Sequence, residues 1–252
     1  MKKIVIGNWK MNPASRKEAK DIFEEINLSV GSFTRVVSVV CLPFIYTSEF
    51  CLLAKTKILI GAQDCFIGDV GPYTGEISAG MLKSIGVHYV ILGHSERRAM
   101  GEVDEVIREK VKSALQHKLK VVLCVGERAR NETPEFLSVI KQQLAADLSG
   151  LGKNYLKNLI VAYEPIWAIG KGAIRPASAE DVTEVSIFIK KILTEIFGRE
   201  VGIKIPIIYG GSVDEKNCRE FLHNGGIDGF LVGRASLEPK KFVGIIKVAH
   251  EI

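Results

Sequence analysis

The stretch Leu159-Ile160-Val161-Ala162-Tyr163-Glu164-Pro165-Ile166-Trp167-Ala168-Ile169-Gly170 changes character halfway along. Its first five residues are apolar without alternation, as in a short strand buried on both faces. A carboxylate, Glu164, closes the run. Residues 165–172 then bring three large apolar side chains and two glycines, the composition of a loop rather than of a second strand.

Seven more apolar runs rich in Val and Ile resemble this one, at residues 4–6, 36–42, 58–60, 89–92, 121–125, 205–209 and 230–232. Helical period fills several of the gaps. Ala19, Ile22, Phe23 and Ile26 lie at i, i+3, i+4, i+7, and Ser15 with Glu18 matches a capping box ahead of them. Val103, Val106, Ile107, Val111, Ala114 and Leu115 form a second stripe. Val182, Val185, Ile189, Ile192, Leu193 and Ile196 form a third. The helices after the second, third and seventh runs are unclear from pattern alone. Eight strand–helix alternations point to parallel strands with right-handed crossovers. An open doubly wound sheet is the alternative, but no G-x-G-x-x-G follows the first strand. The expectation is an α/β chain, a closed eight-stranded parallel (β/α)8 barrel, with residues 1–252 as a single domain.

Composition sets limits on function. Hydrophobic residues make up 47% and charged residues 25%, and the net charge is +5. Lys and Arg are scattered among Asp and Glu, so a nucleic-acid surface is not expected. No apolar stretch approaches the ~18 residues a membrane helix needs. The apolar start is broken at once by Gly7-Asn8-Trp9-Lys10, too early for a signal peptide. An odd number of cysteines, Cys41, Cys51, Cys65, Cys124 and Cys218, without a C-x-x-C pair argues against a disulfide framework or a zinc site. A cytoplasmic location is expected.

In a barrel the chemistry lies at the carboxyl ends of the strands. There the chain places Gly7-Asn8-Trp9-Lys10, Gly93-His94-Ser95-Glu96-Arg97-Arg98, Glu164-Pro165, Gly210-Gly211-Ser212 and Gly233-Arg234-Ala235-Ser236. The last two follow strands seven and eight, where backbone N–H groups of glycine turns can hold a phosphate; any one of them can equally be only a tight turn. Lys10 reads as a solvated lysine, a Schiff-base lysine or, beside Asn8, an electrostatic group. His94 opens a short helix, whose positive end disfavours the imidazolium and leaves a neutral ring able to polarise a carbonyl. Glu164, at the end of an oily strand, reads as a base whose pKa desolvation raises. The apolar loop behind it reads as a lid that excludes water and brings a backbone N–H, that of Gly170, onto an anion.

Together these stretches resemble the triosephosphate isomerase family. Gly61-Ala62-Gln63-Asp64, Tyr73-Thr74-Gly75-Glu76, Cys124-Val125-Gly126-Glu127, Tyr209-Gly210-Gly211-Ser212-Val213 and Asp228-Gly229-Phe230-Leu231-Val232-Gly233 match in order along the chain, as do the segments around Lys10, His94 and Glu164. The resemblance implies interconversion of dihydroxyacetone phosphate and D-glyceraldehyde 3-phosphate through an enediolate. It implies Glu164 as base, His94 as electrophile, Lys10 and Asn8 as enediolate stabilisers, and Glu96 as support. Backbone groups of Gly170, Ser212, Gly233 and Arg234 would hold the phosphate. No metal and no cofactor is implied. A homodimer is, through the loop 64–76 that contains Thr74, with Phe66 and Tyr73 as its apolar anchors. A Schiff-base aldolase and a non-catalytic barrel scaffold are the rival readings. Three departures stand out. The lid ends Lys171-Gly172-Ala173-Ile174-Arg175, where the family more often has Thr-Gly-Lys-Thr-Ala. Arg234 replaces a common glycine. The segment Arg98-Ala99-Met100-Gly101-Glu102 is one residue short.

Overall fold

Along the first strand Ile4 and Ile6 join one cluster of buried residues and Val5 joins another. The same division separates Val39 and Cys41 from Val40, and Val122 and Cys124 from Val121 and Leu123. Successive side chains of a strand point to opposite faces, so both faces of the sheet are covered. That is why the runs show no polar alternation. The smaller cluster, with Tyr89, Ile91, Ile160, Ala162, Ile208 and Leu231, is the inner one; the larger also takes in residues of the surrounding helices.

The structure is a computed structural model that describes residues 2–53, 57–130 and 135–252. Its strands are β1 (Lys3–Asn8), β2 (Val36–Leu42), β3 (Leu59–Ala62), β4 (Tyr89–Leu92), β5 (Lys120–Val125), β6 (Leu159–Tyr163), β7 (Ile207–Tyr209) and β8 (Gly229–Val232). They pair in sequence order, all parallel, and β8 closes onto β1 with Gly7 opposite Val232. Several edges differ from the sequence reading, and β1 runs on to Asn8. β3 is displaced toward Ala62, and β7 starts at Ile207 because Pro206 has no N–H for the ladder.

The helices are α1 (Arg16–Ser29), α2 (Phe44–Leu53), α3 (Ala79–Ser84), α4 (Ser95–Ala99), α5 (Asp104–Gln116), α6 (Phe136–Asp147), α7 (Ala179–Phe197), α8 (Arg199–Gly202), α9 (Cys218–Asn224) and α10 (Pro239–Glu251). On α1 the buried residues are Ala19, Phe23 and Ile26. Ser15 caps it by accepting from the Glu18 N–H at 3.2 Å, but the full reciprocal box forms elsewhere, between Ser178 and Asp181 at the start of α7. Val103 and Val106 turn outward, and α5 instead buries Lys110 beside Ile107, Val111, Ala114 and Leu115. Lys110 is tolerated there because its ammonium lies 2.8 and 2.9 Å from the Asp64 carboxylate oxygens. At the end of α7 Phe197 is buried and Ile196 partly exposed. The elusive helices have clear causes. α2 is apolar on both sides, with Ile45 and Leu52 exposed and Tyr46 and Phe50 buried, while α3 and α9 have only 6 and 7 residues. Among the described residues no helix is long and apolar enough to cross a membrane.

Candidate active site

Glu164 follows β6, and its N–H donates to the Val125 carbonyl at 2.8 Å, continuing the ladder with β5. The chains pass so closely here that a Cβ on Gly126 would fall 1.8 Å from the Glu164 carbonyl oxygen. Only glycine fits at that position. The Glu164 side chain is therefore fixed from below. It is 3% exposed, with Oε1 3.0 Å from His94 Nε2 and Oε2 accepting from the Ser95 N–H at 2.9 Å.

His94, 7% exposed, caps α4 with its ring: Nδ1 accepts from the Glu96 N–H at 3.2 Å. An acceptor nitrogen carries no proton, so the ring hydrogen lies on Nε2 and points at Glu164. Burial pushes the Glu164 carboxyl up, but His94, by its charge where the ring is protonated and by its Nε2–H bond, the Ser95 N–H and Lys10 outweigh it and leave the carboxyl below its ordinary value. This reverses the expectation from the oily strand, because the sequence did not reveal how many partners the carboxylate has. For His94, burial works against the cation, and the Glu164 carboxylate more than offsets this and raises the ring's pKa. The Glu96 N–H opposes protonation at the one atom where the second proton would go. We assign the neutral ring for as long as that bond is made.

Lys10 follows β1 in a left-handed conformation, φ 53°, that costs a non-glycine residue about 1 kcal/mol. Two hydrogen bonds hold its backbone. Asn8 Oδ1 accepts from the Lys10 N–H at 3.0 Å, and Gln63 Nε2 donates to the carbonyls of Lys10 at 2.8 Å and Cys41 at 3.1 Å. The Lys10 ammonium meets Glu96 Oε1 at 2.6 Å. Sequence pattern alone does not single out Gln63. Its signal was its place one residue past β3, on the same rim as the others.

The glycine turns are less tightly drawn together. Gly233 precedes a short 3-10 turn, Arg234–Leu237, and a Cβ on it would lie 3.8 Å from Lys10 Cε. The Arg234 side chain is exposed, so its bulk leaves into solvent. Ser212 is also exposed, but it is not at a helix start, since α9 begins at Cys218. Gly170 has φ 75° and open space around it. Among the described residues, no hydrogen bond joins 165–174 to 210–213 or 233–236. The structure thus gathers Asn8, Lys10, His94, Glu96, Glu164 and Gly233, and leaves Gly170 apart from Ser212 and Gly233.

The apolar loop is not simply exposed. Trp167 is buried, its indole N–H donating to Glu127 Oε1 at 2.7 Å, where the Tyr163 hydroxyl also donates at 2.8 Å. The Ile166 N–H donates to the Glu127 carbonyl at 3.0 Å. The base of the loop is closed by Ile174 N–H to Trp167 carbonyl at 2.9 Å, while Ile174 itself faces solvent. Glu127, like Gln63, was missed as an anchor; only its buried geometry reveals it.

Known proteins resemble this chain over nearly its whole length. The family model described as triosephosphate isomerase matches residues 3–249. The triosephosphate isomerase of Alkaliphilus oremlandii is 44% identical over 248 residues, 97% of this chain and 98% of that one. That of Dictyoglomus thermophilum is 44% identical over 253 residues, covering 98% and 99%. The crystal structure of triosephosphate isomerase from Bartonella henselae superposes with a TM-score of 0.86 at 36% identity, covering 98% of this chain and 99% of that one.

Proposed function

The chain belongs to the triosephosphate isomerase family and is an isomerase of triose phosphates, and from that premise we propose which of its groups perform the reaction. One observation carries the assignment: a buried carboxylate, Glu164, faces an imidazole N–H, that of His94, at 3.0 Å across the barrel mouth. A substrate carbonyl entering beside Lys10 takes over the Nε2–H now donated to Glu164. The carboxylate is then free to remove the proton from the carbon next to that carbonyl. Electron density moves onto the oxygen, giving an enediolate that His94 Nε2–H and the Lys10 ammonium stabilise. Through Nε2, His94 gives its proton to the former carbonyl oxygen and takes one from the neighbouring hydroxyl, whose oxygen becomes the new carbonyl as Glu164 returns its proton to the former carbonyl carbon; this exchanges dihydroxyacetone phosphate and D-glyceraldehyde 3-phosphate.

Asn8 holds the Lys10 backbone, and Glu96 orients both the Lys10 ammonium and the His94 ring. Backbone N–H groups of Ser212, Gly233 and Arg234 hold the phosphate, joined by Gly170 when the lid moves in. The pairing of Lys10 with Glu96 supports an electrostatic role for this lysine over the nucleophilic one an aldolase needs. Residues 1–252 act as one domain.

The chain works as a homodimer. Met11, Ile45, Ile67, Val70, Tyr73, Met81 and Met100 are all exposed on segments that follow β1 to β4. So large an apolar face needs a cover. The loop carrying Thr74 is preformed for docking, with Phe66 and Tyr73 rings 4.5 Å apart. Free cysteines at 41, 51, 65, 124 and 218 fit a reducing cytoplasm.

The test is a coupled assay of glyceraldehyde 3-phosphate isomerisation with wild type, Glu164→Gln and Glu164→Asp. Turnover by wild type and its near loss in Glu164→Gln are expected. A Glu164→Gln protein as fast as wild type overturns the assignment.

A further inference from the structure

Arg175 stands where the lid rejoins the barrel, in the part of the loop that departs from the family pattern. Its guanidinium makes two kinds of contact at once. Nη1 and Nη2 reach the two Asp181 carboxylate oxygens at 2.5 and 3.0 Å, a bidentate pair. Its Cζ also lies 4.7 Å from the centre of the Trp167 ring, stacked on the indole. Trp167 belongs to the first end of the lid and Arg175 to the last. Asp181 belongs to neither, since it sits in the capping box of α7, accepting from the Ser178 N–H at 2.8 Å. One side chain therefore ties both ends of the lid to each other and to the start of a 19-residue helix.

Resting on the reading of 165–175 as the lid of a triose phosphate site, we propose that Arg175 is a positioning residue, a latch that holds the lid in its stand-off position through Asp181 and Trp167. Two further features favour a latch over a permanent brace. First, in the tied arrangement Gly170 has open space around it and the lid has no hydrogen bond to 210–213 or 233–236 among the described residues. The tie thus belongs to the state without lid contacts to the phosphate loops. Moving the lid inward rotates the backbone at its ends, which must shift the indole under the guanidinium. Second, Asp181 has other partners. Arg130 Nη2 lies 3.3 Å from its Oδ1, and Arg130 Cζ lies 5.6 Å from the Trp167 ring. When Arg175 lets go, the buried carboxylate still faces a guanidinium and the Ser178 N–H, so release leaves no bare charge.

The latch opposes closure, so removing it should strengthen binding of a ligand that needs the lid. The probe is 2-phosphoglycolate, whose phosphate and planar carboxylate mimic the enediolate. Calorimetric titration of the full chain should show Arg175→Ala binding it roughly 3- to 10-fold more tightly than wild type, the range for one half-exposed ion pair with stacking. Arg175→Lys, which keeps charge but not the planar fork, should fall between. Asp181→Asn, which keeps an acceptor for Ser178, should shift the same way and serves if Arg175→Ala does not fold. Acrylamide quenching of Trp167 should rise in Arg175→Ala, with fully buried Trp9 a silent background. Gain of affinity is not what loss of a merely structural contact produces. Affinity unchanged within about twofold, or weakened, overturns the latch. A wild-type protein that does not bind 2-phosphoglycolate overturns the site assignment itself, and the latch with it.

Discussion

The acid–base pair and the lid are anchored in opposite ways. Glu164 and His94 are held by backbone: the Ser95 and Glu96 N–H groups, the ladder bond to Val125, and the close pass at Gly126. The lid is held mainly by side chains at its two ends, Glu127 under Trp167 and Arg175 over it. The first arrangement cannot relax without opening the barrel; the second can change by rotating a few bonds. Chemistry should therefore be sensitive to changes at the pair, and binding to changes at the lid ends.

The largest effect is expected from Glu164. Glu164→Gln should lower kcat by about a thousandfold or more, because an amide cannot accept the proton that the carboxylate takes. Glu164→Asp should cost somewhat less, the base being withdrawn by one methylene. In both, KM should move far less than kcat, because the proposed phosphate contacts lie elsewhere. Steady-state kinetics in both directions reads this directly. A change mainly in KM would break the contrast between pair and lid.

His94→Gln should come next, lowering kcat about 100- to 1000-fold through loss of the carbonyl partner. It also carries a pH signature. As the proposed base Glu164 must be ionised to act, and the Nε2–H bond of His94 helps hold its carboxyl below the ordinary value. Burial, the opposing effect, remains when His94 is removed, so the Glu164 pKa rises. The acid limb of kcat/KM should then move to higher pH. The linked stability follows the same sign. In wild type the lowered carboxyl contributes stability above its unfolded pKa and loses it as pH falls through the folded value; the variant should lose it earlier on the way down. An unmoved acid limb would mean that the limb reports another group.

Much of this is legible in the amino-acid sequence. Strands buried on both faces leave continuous apolar runs, and the polar residue that ends such a run sits at the barrel rim; that placed Asn8, Lys10, His94 and Glu164. What sequence could not carry was the partner count. Glu164 looked like a desolvated, pKa-raised base because its neighbours in the chain are apolar, whereas its neighbours in space are His94, Ser95 and Lys10. Lys110 was invisible for the same reason: a lysine on a helix face reads as solvated unless Asp64, 46 residues away, is known to meet it. The lid misled in the other direction, since Trp167 looked exposed until Glu127 and two arginines were found around it.

Gly126→Ala tests the backbone side of the comparison and should act on stability first. A Cβ 1.8 Å from the Glu164 carbonyl oxygen has to part β5 from the segment after β6. Overpacking of this kind costs about 1–3 kcal/mol, a fall in Tm of roughly 2–12 °C for a chain of this size. Gly170→Ala is the control from the lid. Nothing surrounds that position, so its only cost is the φ of 75°, and the loop has room to relax most of the roughly 1–2 kcal/mol that such strain costs in a fixed backbone. That strain falls on an exposed loop and should appear in KM more than in Tm. Equal thermal shifts in the two variants would show that the lid is as integral to the barrel as the pair.

Arg234→Gly should have the smallest effect. The backbone N–H proposed to meet phosphate survives the change, and the exposed side chain makes no ion pair among the described residues. Extra chain freedom at the start of the short turn should cost about 0.5–1 kcal/mol of stability, and kcat/KM should stay within about twofold of wild type. A KM increase of about tenfold would be informative. It would mean that the guanidinium, directed to solvent here, folds back onto the bound phosphate. The phosphate loop after β8 would then work as the lid does, by a side chain recruited on binding, rather than through a backbone fixed in advance like that around Glu164.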